Sequence, residues 1–124
     1  MTTEKISLGK KGEELVALYL KKQGYTICAC NYTKRCGEID IIAQKDHVRA
    51  FVEVKLRQSH YFTLSEVVTP AKQRKIIATA RFYNSHIRDT IDMIYRFDIA
   101  LVEHNGKDYD ITYIPNAFTQ GSEW

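Results

Sequence analysis

A chain of 124 residues, 44% hydrophobic and 27% charged, has the make-up of one ordinary globular domain, which excludes extended disorder. Lys and Arg (18) exceed Asp and Glu (15) by a net +3, too little by itself to mark a nucleic-acid binder. No run of 18 apolar residues exists for a membrane span, and the N-terminus lacks the apolar stretch of a signal peptide, so the expected location is the cytoplasm.

The first predicted element is a helix from about Ser7 to Gln23. Leu8, Gly12, Leu15, Val16 and Tyr19 recur at the spacing of one buried helical stripe, Ser7 is the expected N-cap, and Gly24 the left-handed C-terminal residue. Three strands follow: Tyr25 to Thr33, Glu38 to Gln44 and Val48 to Arg57, the last two forming a hairpin around a polar Lys-Asp-His tip. In the third strand Val48, Ala50, Val52, Val54 and Leu56 make one continuously apolar face, and Phe51 on the other suggests a central strand. A loop over Gln58 to Leu64 precedes a second helix, capped by Thr69 with Pro70 at its first position, running to about Ser85 with Ile76, Ile77, Ala80 and Tyr83 inward. Strands at Ile94 to Val102 and Tyr109 to Ile114 flank Asn105-Gly106, read as a two-residue turn. The order α-β-β-β-α-β-β predicts a single α/β domain, one central sheet flanked by helices, with a core over about 7–104 and a C-terminal strand and tail over 105–124.

Cys28, Cys30 and Cys36 are an odd count in a chain expected in a reducing compartment, so they read as free thiols. No second pair of ligands completes a zinc site. Basic residues crowd the first two-thirds of the chain, whereas Asp89, Asp92, Asp98, Glu103, Asp108 and Asp110 fall in the last third, as for an oriented binding face. Lys34, Arg35, Arg57, Lys72, Gln73 and Lys75 are the candidate nucleic-acid contacts, Gln73 being an inward amide that needs a partner.

Chemistry concentrates in the hairpin. Glu53 and Lys55, two apart in a strand, share a face, and the turn at Asp46-His47 sets Asp40 opposite Glu53, with Cβ atoms roughly 5 Å apart. Two carboxylates so close, beside Ile42 and Phe51, require compensation. Either one stays protonated or a cation sits between them, and Mg²⁺ or Mn²⁺ suits such oxygen donors. A plain Asp–Lys–Glu ion-pair cluster is the competing explanation. Glu13, at the margin of the first helix's apolar stripe, is placed to reach over the sheet.

Gly12, Glu13 and Ala17, Gly24-Tyr25, Asn31, the run Gly37-Glu38-Ile39-Asp40-Ile41-Ile42-Ala43, Phe51-Val52-Glu53-Val54-Lys55-x-Arg57, Val68-Thr69-Pro70-x-Lys72 and Arg96-Phe97-Asp98 resemble, in this order, the bacterial YraN-like family. The resemblance implies a restriction-endonuclease-like fold with a mixed sheet. Its Asp…Glu-x-Lys core is similar to that of PD-(D/E)xK nucleases, and the added glutamate to that of archaeal Holliday-junction resolvases. It implies Asp40 and Glu53 as metal ligands, Lys55 as the catalytic lysine, Glu13 as an auxiliary ligand, and the Val54 carbonyl as a further ligand. Ile39 stands where such nucleases carry proline, and Cys36 where the family often has a small residue.

The expectation is a Mg²⁺- or Mn²⁺-dependent endonuclease acting on DNA rather than RNA, branched or structured DNA included, with a homodimer as a further expectation. The alternatives are a nucleic-acid-binding module of nuclease ancestry that cuts nothing, and an adaptor docking a partner through its acidic C-terminal hairpin and Trp124.

Overall fold

The computed structural model describes residues 2–57 and 68–119, with the side chains of 2–8 left out. The predicted loop at Gln58 to Leu64 and the terminal Trp124 lie outside the described residues. Seven elements follow in chain order: α1 (Thr2–Lys22), β1 (Thr26–Lys34), β2 (Gly37–Lys45), β3 (Val48–Arg57), α2 (Pro70–Ser85), β4 (Ile94–His104) and β5 (Tyr109–Phe118). The strands form one mixed sheet in the order β1-β2-β3-β4-β5. β3 is its centre and runs parallel to β4; the other neighbours are antiparallel.

Each face carries its own core. On one, Val16 and Leu20 of α1 pack on Ile41, Ala43, Ala50, Val52, Ala100 and Val102. On the other, Ile76 and Ala80 of α2 pack on Ile39, Ile42, Phe51, Phe97, Ile99 and Leu101. The apolar face of β3 is buried at Ala50 and Val52 and half-buried at Val48, Val54 and Leu56. A file of rings, Phe118, Phe97 and Phe51, crosses three strands with centroids 5.2 and 5.6 Å apart, a spacing favourable for offset stacking.

Three boundaries differ from expectation. α1 begins at Thr2, so Ser7 lies inside it and is no cap; no proline interrupts the run before it. The β4–β5 turn spans four residues, not two. Asn105 Oδ1 accepts from the backbone N–H groups of Lys107 and Asp108, and Gly106 takes φ +98°. This asparagine-capped turn competes with the tight two-residue form. β5 continues past Ile114 to Phe118 through a register shift, with Asn116 at φ +53°. Gly24, at φ +97°, ends α1 as expected, and Thr69 caps α2 by accepting from Lys72 N at 3.2 Å.

Candidate active site

The hairpin register is the expected one from Lys45↔Val48 to Ile41↔Val52. It stops one pair short of Asp40 and Glu53. Ile39 and Ile42 both pack on the α2 side, so the alternation of faces breaks between them. Asp40 thus leaves the ladder, and its Oδ2 accepts the Val54 backbone N–H at 2.8 Å. The Asp40 and Glu53 carboxyls stand within hydrogen-bonding reach of each other, and both are buried (9% and 7% exposed).

That pairing has an electrostatic consequence. Burial, then the charge of Glu53, raises the Asp40 pKa from 3.8 to about 7, although the Val54 N–H favours the ionised form. The second compensation is a cation from the protein. Lys72 Nζ, from the first turn of α2, lies 2.8 Å from Glu53 Oε1. The sequence points Lys72 toward phosphate, whereas the docking of α2 sets it on Glu53. The available signal was its position four residues before the buried Ile76, on the same stripe of the helix.

Lys55 sits two residues beyond Glu53 on the same face of β3 and is half-buried. Glu13 reaches toward the pair from α1, close enough for Asp40 and Glu38 to act on it. Burial raises its pKa, those two charges add to the rise, and a hydrogen bond from Asn31 opposes it. Asn31 holds this position with φ +52°, a conformation asparagine tolerates. Among the described residues, no three His, Cys, Asp or Glu side chains are gathered closely enough to hold a metal ion by themselves. Asp40 and Glu53 are the tight pair, and Glu13 stands outside it. Two buried carboxylates short of positive charge are a fitting donor set for a hard divalent ion whose other positions remain with water or phosphate.

A cleft of about 480 Å³ opens between the β1–β2 turn and the start of α2; Lys72, which reaches Glu53, lines it, whereas Asp40 and Glu53 do not. Thr33, Lys34, Glu38, Thr69, Lys72 and Lys75 line it. Gly37 lets its walls approach: at φ +151°, an added Cβ would lie 2.9 Å from Thr79 Oγ1 and 3.2 Å from the Lys75 carbonyl. The other candidate contacts are dispersed. The Lys34 ammonium lies over the Tyr32 and Phe82 rings, and Arg35 is exposed in the β1–β2 turn. Arg57 Nε stands 3.7 Å from Glu103 Oε1. The Gln73 amide donates to the Val68 carbonyl at 3.1 Å, which supplies the partner its inward position required. Cys28 and Cys30 are exposed, Cys36 is half-buried, and all three are free thiols.

With this geometry in view, comparison with known proteins decides the family. The model of "Uncharacterised protein family UPF0102" matches residues 12–102, a span that contains Glu13, Asp40, Glu53, Lys55 and Lys72. The chain belongs to the UPF0102 family. It is 40% identical over 118 residues to a UPF0102 protein of Vibrio parahaemolyticus, covering 94% of this chain and 96% of the relative. A UPF0102 protein of Alkaliphilus metalliredigens is 42% identical over 113 residues, covering 90% and 97%. One of Clostridium perfringens is 40% identical over 115 residues, covering 90% and 93%. The resemblance to the YraN-like family read from the motifs is thereby borne out.

Proposed function

We propose that this UPF0102 protein is a Mg²⁺- or Mn²⁺-dependent endonuclease that hydrolyses nucleic-acid phosphodiesters, with DNA, branched or structured, as the favoured substrate. The observation that carries the reading is the buried Asp40–Glu53 pair, with Asp40 anchored by the Val54 N–H and Glu53 linked through Lys72 to a lysine-lined cleft. A bound divalent ion would supply Lewis acidity at the scissile phosphate and lower the pKa of a coordinated water. Asp40 and Glu53 would hold it. Lys55, on the Glu53 face, places a positive charge where negative charge develops during displacement. Lys34 and Lys75 offer cations to the phosphates on either side, and Glu13 steadies the water shell from α1. Among the described helices none is long and apolar enough to cross a membrane.

The test is direct. Wild type, Asp40→Asn and Glu53→Gln are incubated with duplex, flap and four-way DNA in Mn²⁺. Cleavage by the wild type and its loss in both variants, with circular dichroism unchanged, is the expected result. Undiminished cleavage by either variant removes the assignment. The 2.8 Å Lys72–Glu53 contact favours one second reading, a binding module in which a lysine neutralises the carboxylates permanently. That module retains DNA in a salt-sensitive way and turns nothing over.

A further inference from the structure

The Lys72 side chain belongs to two places at once. Its ammonium lies on Glu53, yet the side chain is 44% exposed and forms part of the cleft wall with Lys34 and Lys75. Its backbone is fixed, because Thr69 Oγ1 accepts its N–H and the Pro70 start of α2 sets the first turn. Only the four-carbon stem is free to swing. The Glu53 side chain is 8% exposed, so what sits on its Oε1 is decided by competition between few candidates. A divalent cation on the Asp40–Glu53 pair and the Lys72 ammonium on the same oxygen are like charges a few ångströms apart in a poorly screened site, and they exclude each other.

We propose that Lys72 couples cation binding to phosphodiester binding: it occupies Glu53 while the pair holds no cation, and transfers to a phosphate in the cleft when a divalent ion takes its place. This rests on the carboxylate pair being a cation site. The cleft provides the destination, since Lys34 and Lys75 at its wall outnumber its one carboxylate, Glu38. Linkage then works in both directions. A phosphate that draws Lys72 away tightens the cation, and a cation that displaces Lys72 adds one positive charge to the nucleic-acid surface. Each ligand therefore raises the affinity of the other. Lys72 acts as a positioning residue in this scheme.

Calorimetric titration with Mn²⁺ of wild type, Lys72→Met, Lys72→Arg and Asp40→Asn tests the exchange, together with fluorescence anisotropy of a labelled oligonucleotide in EDTA and in Ca²⁺. Lys72→Met should bind Mn²⁺ about tenfold more tightly than wild type, a normal size for such coupling. Lys72→Arg should stay near wild type, and Asp40→Asn should lose the binding. Ca²⁺ should strengthen oligonucleotide binding by the wild type several times more than by Lys72→Met. Mn²⁺ binding by Lys72→Met alone would support the proposal most strongly. Equal or weaker Mn²⁺ binding by Lys72→Met, with wild type binding and Asp40→Asn not, overturns the exchange and leaves the cation site standing. Absence of Mn²⁺ binding from both wild type and Lys72→Met overturns the exchange and the metal-dependent reading together.

Discussion

The Val54 N–H donates to Asp40 Oδ2 across 2.8 Å at the point where the β2–β3 ladder ends. A side chain thus accepts the bond that a strand carbonyl would otherwise take, and it holds the carboxyl against Glu53. The acid is fixed by backbone geometry, at the cost of repulsion between two buried charges.

That repulsion has a pH signature in the metal-free protein. Because the Asp40 pKa is raised from 3.8 to about 7 on folding, the folded chain retains a proton that the unfolded chain has released. Stability from this group is full below about 4 and falls as pH rises toward about 7. Asp40→Asn, which keeps an acceptor for Val54, should flatten that fall and unfold no earlier than wild type near pH 8. Thermal unfolding in EDTA from pH 4 to 8 measures it, and matching slopes for the two proteins would contradict the account.

Lys55→Met separates binding from chemistry. On the proposed reading, Mn²⁺ affinity is retained while single-turnover cleavage drops on the order of a hundredfold or more, the usual loss when one stabilising charge is removed. A variant that cleaves at the wild-type rate assigns Lys55 to a structural ion cluster.

Gly37→Ala tests how the cleft is built. The added methyl meets Thr79 Oγ1 at 2.9 Å and Lys75 atoms at 3.2 Å, in a backbone conformation unfavourable to alanine. Thr79 is fully buried and donates to the Lys75 carbonyl, so it has little room to yield. A loss of about 2 kcal/mol is expected from strain and crowding. Urea unfolding decides it, and an unchanged midpoint would mean that β2 and α2 adjust freely.

Asp98, opposite Val52 in the ladder, ties β4 to β5. It is fully buried and accepts from Arg96, from the Tyr113 hydroxyl and from Asn116 N, while Arg96 also donates to the Tyr25 hydroxyl at 2.6 Å. Asp98→Ala leaves several donors without an acceptor and should cost about 3 kcal/mol. Denaturant unfolding provides the measurement. Mn²⁺ affinity of the folded fraction should be unaltered, since the contacts of Asp98 do not include the Asp40–Glu53 pair.

The sequence by itself determined the elements, the hairpin register and the neighbourhood of Asp40 with Glu53. These follow from local rules: helical periodicity in α1 and α2, strand alternation, and a polar tip at Asp46-His47 that leaves one pairing which buries Ile41, Ile42, Val52 and Phe51 together. The tertiary structure decided what local rules do not encode. The departure of Asp40 from the ladder accompanies Ile39 packing under α2, a contact between segments far apart in the chain. The salt bridge from Lys72 to Glu53 depends on how α2 docks, and the cleft depends on Gly37 meeting Thr79. Periodicity specifies which face of an element is buried. The partner it meets there is set by packing between segments far apart in the chain, and at this site that packing chose the cation on Glu53.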